Sequence, residues 1–425
     1  MISGARLRQA RQARGYSQQQ LAGMAGVSRQ AVSAVESGQS DPSLRVALAL
    51  AQALGMTVEE LFGAEGTIEP VPARVIGDDG AAGRRGARGA RVTLAPMGDS
   101  FVALPLSGAT AIRVGLLPAG GLLAGEPADG STMGGSRDRA LSIHALTRSA
   151  RVRPIGPPRP TLVVAGCDPA LPLLTEPLSL LDPPIAFGWW PCSSLEALRL
   201  AAEGLVHAAG AHLRDRSGEY NTESAAELLA AGAEVVGFSA WREGLVVGTG
   251  AAEAGDVTGV GDVVSHGLRL VNREPGAEAR RVLDRALGDA GIDGARVPGY
   301  QTAAAGHLQV ADAIAAGLAD AGVACEPAAL AYGLGFVPLA AERFDLVIPA
   351  GRAASREIQA LIKVLRSRWL LDQLASLPGY DPSSCGQHIA SLPRQQENAG
   401  GPGGRETRLS PRAGEAGGVA GPQDG

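Results

Sequence analysis

The stretch Ser17–Gly38, SQQQLAGMAGVSRQAVSAVESG, constrains this chain more than any other. Serines stand where helices would start, at Ser17 and Ser28, and glycines stand where they would stop, at Gly26 and Gly38. A serine hydroxyl at an N-cap satisfies an orphaned backbone N–H, and glycine takes the left-handed turn that ends a helix. Between those signals Leu21, Ala22 and Ala25 share one face, and Ala31, Val32 and Val35 share another. The spacing predicts two short helices joined by a tight turn, with Val27 tucked into the corner.

The flanks extend this into a helical unit over residues 1–65. A helix is expected from Ile2 to Arg14 with Leu7 and Ala10 inward, another from Ser43 to Leu54, and a short one capped by Thr57 with Glu60 three residues on. Six arginines against two acids give residues 1–45 a net charge of +4, while the whole chain carries −5. A basic head on an acidic body fits a nucleic-acid reader rather than a general polyanion binder. Two helices at a tight turn are also the layout that sets a second helix into the major groove.

A chain of 425 residues needs more than one domain. Residues 66–92 are rich in Gly, Pro and Arg without an apolar period and are expected to be a linker. Residues 91–160 suggest a small β-rich connector: RVTLAPM, SFVALPLSG, AIRVGLL and ALSIHAL read as strands, and GLLAGEPADGSTMGGSRDRA as a loop. Strand and helix patterns alternate from Thr161 onward, which implies a parallel sheet, with a long helix over Ser355–Leu374. The tail from residue 389 is without periodicity and is expected to be disordered.

The string GYSQQQLAGMAGVSRQAVSAVESGQSDPSLRVALALAQALGMTVEELF resembles the phage-repressor/Cro-like (XRE) helix-turn-helix family. The resemblance implies that Ser28, Arg29, Gln30 and Ser33 face the major groove of operator DNA. It also places Ser17 and Gln18 near a phosphate, and it implies a structural pair, Arg11 with Glu36. The chemistry agrees, since Arg suits guanine O6/N7 and Gln suits adenine N6/N7.

A second resemblance covers residues 161–388. The strings GCDPALPLL, EGLVHAAGAHLRDRSGEYN, LRLVNREPGAEARRVLDRAL, GYQTAAAGHLQVADAIAAGLADAGVA and FVPLAAERFDLVIP carry it. They resemble the periplasmic-binding-protein-like domain found behind bacterial helix-turn-helix heads, a cousin of molybdate-type binding proteins. It implies a type II, two-lobed α/β fold closing on a small effector, with an oxyanion such as molybdate or tungstate as the expected ligand. The expected architecture is therefore multidomain: an all-α head, a β-rich connector and an α/β two-lobed domain. Where NRxxG is commonly followed by small hydroxyl residues, this chain has Ala277-Glu278-Ala279, which weakens the molybdate reading if Glu278 faces the cleft.

Open α/β sheets bind ligands beyond the carboxyl ends of their strands. Those ends supply the candidate ligand-binding residues Asp168, Ser193, Ser194, Tyr220, Asn221, Asn272, Arg273, Gly276, Arg280 and His307. His144 stands alone, and His207 and His212, five apart on a strand, point to opposite faces, so no metal set is read. Four distant cysteines form no CxxC and are expected as reduced thiols. GTGAAEAGD is not a dinucleotide fingerprint, and no GxSxG elbow or phosphate-binding GKS/GKT loop occurs, so no catalytic residue and no bound cofactor are assigned. No apolar run long enough to span a bilayer is present, so no membrane association is expected. Together these features give a cytoplasmic, homodimeric one-component transcriptional regulator that senses a small ligand. The alternatives are a molybdenum-cofactor-related enzyme or cofactor-handling protein with a DNA-binding head, and an antitoxin-like interaction protein.

Overall fold

The computed structural model describes residues 3–62, 69–77, 89–106, 117–125, 147–249 and 257–394. The expected strands AIRVGLL and ALSIHAL fall almost entirely outside these residues. His144, most of the GTGAAEAGD stretch and the chain beyond residue 394 lie outside them too.

The head consists of α1 (Ser3–Ala13), α2 (Gln18–Ala25), α3 (Arg29–Glu36), α4 (Leu44–Ala53) and α5 (Val58–Phe62). Ser17 caps α2 in a reciprocal box with Gln20, Gly26 closes α2 in the left-handed region at φ 64°, and Ser28 caps α3. Leu7, Leu21, Val32, Val35, Leu50, Leu54 and Leu61 interdigitate as its core.

Behind the head, five strands form a closed barrel in the order β1-β3-β2-β4-β5. They are β1 (Val71–Ile76), β2 (Arg91–Met97), β3 (Ser100–Pro105), β4 (Gly121–Gly125) and β5 (Thr147–Pro154). Three of these correct the sequence reading. β1 lies in the expected linker, β4 in the expected loop, and β5 in a segment read as neither. Each is fixed by pairing with distant chain, β1 and β4 both against β5, which no local apolar period announces. Val75, Val92, Leu94, Leu123 and Val152 fill the barrel. Its outer residues Ile76, Met97, Val102 and Leu104 pack with Val163, Trp190 and Leu198 of the next domain.

That domain opens with β6 (Thr161–Ala165), α6 (Thr175–Ser179), β7 (Ala186–Trp190), α7 (Ser194–Ala202), β8 (Ala208–Ala211) and α8 (Thr222–Leu228). It continues with β9 (Ala233–Val247), α9 (Val260–Ser265), β10 (Leu270–Arg273), α10 (Glu278–Asp289), β11 (Ala303–Ala304), α11 (His307–Ala315), β12 (Ala321–Cys325) and α12 (Glu326–Ala331). β13 (Gly335–Pro349), α13 (Arg356–Leu365), α14 (Arg368–Ser376) and β14 (His388–Leu392) complete it. The sheet order is β11-β10-β12-β9-β13-β8-β6-β7, with β14 alongside β9.

The expected parallel sheet is in fact mixed. β6, β7 and β8 pair in parallel, as do β10, β11 and β12. Two 15-residue strands, β9 and β13, pair antiparallel along their length and join the two parallel halves. The single long helix expected over Ser355–Leu374 is two, because Ser367 caps a new one by accepting from the Leu370 amide. The expected tail begins too early: His388–Leu392 is a strand paired with β9 through a register shift between His388 and Ala390, with Ile389, Ala390 and Leu392 packed against the core.

Candidate functional site

In the head, Ser28, Arg29, Gln30 and Ser33 are all exposed on the first turns of α3. The buried Val32 and Val35 hold the opposite face. Arg11 Nε reaches Glu36 Oε1 at 2.6 Å and Arg11 Nη2 reaches Oε2 at 3.0 Å. Arg11 Nη1 also donates to the Tyr16 carbonyl at 2.7 Å, so one guanidinium ties α1, the turn before α2, and α3 together. The Glu36 side chain is fully buried. Burial alone would raise its pKa, but hydrogen bonds from Arg11 and Gln18 and the charges of Arg11 and Arg8 hold it below the ordinary value. The Gln18 amide, expected near a phosphate, donates here to Glu36 Oε2 at 2.9 Å. Gln18 thus braces the reader, and Ser17 serves as the α2 cap.

The second site lies where the two parallel halves meet. Gly276, at φ 90°, faces the start of α7, where a Cβ would be in ordinary contact, 3.5 Å from Ser193 Oγ and 3.6 Å from Leu195 Cβ. Beside this contact is a cavity of about 20 Å³ whose walls include Cys167, Trp189, Cys192, Arg273, Gly306 and His307. Of the expected ligand residues, Arg273 and His307 line it.

The other candidates are engaged within the protein. Asp168 accepts from the Ala170 amide at 2.7 Å, from Ser239 at 2.8 Å and from Tyr380 at 2.8 Å, so its carboxylate is saturated. Ser193 caps α7, and Ser194 Oγ accepts from the His212 amide at 3.2 Å. Asn221, at φ 69°, accepts from the Leu213 amide and donates to Asp345 at 2.9 Å, which makes it a turn anchor. Tyr220 donates to the Ala341 carbonyl. Asn272 bridges the Arg273 amide and the Tyr300 carbonyl. Arg280 donates to the Arg273 carbonyl at 3.0 Å and lies over the Tyr300 ring. Glu278 is buried, but its oxygens face Arg285 at 2.9 Å and Arg281 at 3.3 Å, which offsets its charge.

Arg273 is buried with Nε and Nη2 on Glu274, and its Nη1 has no hydrogen-bond partner. His307 is 1% exposed. Its Nδ1 accepts from the Cys325 amide at 3.2 Å, with Glu243 Oε1 at 3.4 Å, and its Nε2 has no hydrogen-bond partner. Burial, then Arg273 and His212, keep this imidazole neutral by lowering its pKa well below the ordinary value.

The sequence reading did not connect Cys167, His212, Trp241, Glu243 and Glu342. His212 is fully buried, its ring 5.5 Å from Trp241 and 5.7 Å from His307. Glu342 Oε2 stands 3.6 Å from His212 Nδ1. Burial opposes an imidazolium at His212, yet Cys167, Glu342 and Glu243 outweigh it and raise the pKa. Burial pushes Glu243 up to about 7, against the pull of His212. The signal available in the sequence was a glutamate beside an arginine inside each otherwise mostly apolar run, Arg242-Glu243 in AWREG and Glu342-Arg343 in AAERF.

An all-α head with an exposed, braced second helix, followed by a two-lobed α/β domain with an interlobe cavity, defines the class: a DNA-binding protein with a small-molecule-binding domain behind it. Comparison with known proteins agrees. Residues 7–61 match the family described as helix-turn-helix, and residues 176–366 match the PBP superfamily domain. The HTH-type transcriptional regulator YgzD of Bacillus subtilis is 46% identical over 48 residues, covering 11% of this chain and 73% of that protein. The protein YvgK of the same organism is 27% identical over 235 residues, covering 54% of this chain and 74% of YvgK. Among solved structures, the restriction-modification controller protein C.AhdI from Aeromonas hydrophila shares 47% identity over 14% of this chain and 91% of its own, with a TM-score of 0.14. The chain belongs to the XRE-type helix-turn-helix family, with a PBP superfamily domain fused behind the head. Among the described residues, no helix is long and apolar enough to cross a membrane.

Proposed function

We propose that this chain is a one-component transcriptional regulator, acting in the cytoplasm as a homodimer. The head reads an operator through Ser28, Arg29, Gln30 and Ser33, and the interlobe cavity takes the small effector. The observation that carries this reading is the exposed polar start of α3, held in place by the buried Arg11–Glu36–Gln18 network. A polar free face is ordinary for a surface helix; what suits this one to base edges is that Arg29 and Gln30 stand exposed on its first turn, directly after the tight turn from α2. Coupling requires that effector affinity differ between DNA-bound and free states, since equal affinity shifts nothing.

The chemistry of the effector follows from two opposing features. The free Nη1 of buried Arg273 favours an anion, and molybdate or tungstate would fit that role. The buried carboxylates Glu243 and Glu342 oppose one. Thermal melts of the full chain with molybdate, tungstate, sulfate and a divalent-metal series separate these cases. A ligand at 100 times its Kd adds about 2.7 kcal/mol. Stabilisation by none of them, together with no preference among DNA duplexes, would end the regulator reading.

A further inference from the structure

Among the described residues, one group of side chains could hold a metal ion: Cys167, His212 and His307 each offer a ligand atom, all within 4.8 Å of one another. All three residues are buried. They come from three separate places, just beyond β6, at the end of β8, and at the start of α11. We infer that this cluster is a binding site for a borderline-soft transition-metal ion of the zinc class, and that this ion is the effector of the interlobe cavity. The inference rests on the reading of that cavity as the effector site and gives the effector's chemical class.

Four observations support the assignment. One thiolate and two imidazoles form a donor set that suits Zn²⁺, Co²⁺ or Cu⁺, and three protein ligands leave a position open. The ligating atoms are free of hydrogen bonds: Nε2 of His212 and Nε2 of His307 lack partners, while His212 Nδ1 faces Glu342 at 3.6 Å. The charge around them is wrong for an empty apolar pocket. Glu243 Oε1 and both oxygens of Glu342 are buried without a hydrogen bond, and the positive groups facing them are His212, 3.6 Å from Glu342, and Arg273; a metal ion on the histidines would take over this charge balance. Finally, each histidine already has a carboxylate beside it, Glu342 at 3.6 Å from His212 and Glu243 at 3.4 Å from His307, as metal-ligating imidazoles usually do. Arg273 and an imidazolium at His212 are the opposing cations; Glu274 engages two nitrogens of the first, and the second gives up its proton when a metal binds.

The protons balance simply. The Cys167 thiol and any imidazolium at His212 lose a proton to solvent as the metal binds. On His307 the metal takes Nε2, and the ring proton sits on Nδ1, where Glu243 accepts it at the expense of the bond from the Cys325 amide. A metal held by residues from both halves pins them together across the cavity.

The test is a Co²⁺ titration of the full, reduced, chelator-treated chain. The expected result is one ion per chain, a cobalt–thiolate charge-transfer band, and competition by Zn²⁺. Cys167→Ser should abolish the band, whereas Cys385→Ser, a buried cysteine outside the cluster, should leave it. Glu243→Gln should weaken affinity about 10- to 100-fold, as loss of a carboxylate behind a metal-bound imidazole does. Far-UV circular dichroism checks that each variant is folded, and His307→Gln gives a second route if Cys167→Ser is not. No band in folded wild type, or a band that survives both Cys167→Ser and His307→Gln, overturns the site. Operator affinity measured in parallel separates the two levels. A band with unchanged DNA affinity keeps the metal site but refutes its effector role. No band with DNA affinity that responds to another small molecule refutes the metal and keeps the regulator.

Discussion

Arg11→Ala tests the brace behind the DNA reader. The substitution leaves the fully buried carboxylate of Glu36 with only the Gln18 amide at 2.9 Å and Arg8 at 3.7 Å, whose side chain is 54% exposed. Removing one partner of a buried ion pair costs about 3–5 kcal/mol, because the remaining charge stays desolvated. At roughly 0.05–0.15 kcal/mol per residue, a 60-residue head has only about 3–9 kcal/mol of stability in all. The variant head should therefore be partly or wholly unfolded near neutral pH. Hydrogen exchange of α1–α3 peptides in the full chain reads this directly, with peptides of the α/β domain as the internal control. Replacing both partners, Arg11→Met with Glu36→Met, should restore protection to within about 1–2 kcal/mol, since no buried charge is left. Unchanged exchange in Arg11→Ala, or a double variant as labile as the single one, would refute the reasoning.

Three further outcomes are expected. Arg29→Ala should cost about 1–3 kcal/mol at one base position and relax preference there, as read by footprinting on variant operators; an unchanged preference counts against a base contact. His207 is buried, its Nδ1 accepting the Val163 amide at 3.0 Å, and burial with a smaller push from Arg352 lowers its pKa to about 4. The unfolded chain therefore takes up this proton first, so its contribution is complete above about pH 6.5 and falls by about 3 kcal/mol as pH drops to about 4. Urea melts of wild type and His207→Asn should differ by that pH-dependent amount, and parallel pH profiles would contradict it. Gly210→Ala places a Cβ 2.2 Å from Phe344 Cζ in the core, so it should destabilise the α/β domain by about 1–3 kcal/mol in the same assay.

The head could be read from sequence because its signals are local. Ser17, Gly26 and Ser28 act on backbone within a few residues of themselves. The barrel could not, because β1 is held by β5, some seventy residues away, and its valines sit among Pro and Arg. In β5 only alternate residues, Ala150, Val152 and Pro154, turn inward, with arginines between them. The cavity was half legible. Arg273 and His307 follow from the rule that ligands collect at strand ends, but many residues at strand ends are simply caps and turn anchors, as Ser193 and Asn221 are. Cys167, His212 and His307 share no sequence spacing, and the glutamates that face the two histidines come from long strands whose pairing brings them inward.

The central claim is that the head reads DNA sequence and that occupancy of the interlobe cavity changes this reading. Fluorescence anisotropy of the full chain on a duplex selected from random sequence tests both halves. The protein is used as isolated and again after small molecules are stripped by unfolding and refolding. The account predicts affinity at least about 10³-fold tighter for the selected than for a scrambled duplex, falling steeply with salt, and a different operator affinity in the stripped protein. Equal affinity for selected and scrambled duplexes, or operator affinity indifferent to stripping and to every added ligand, would contradict it.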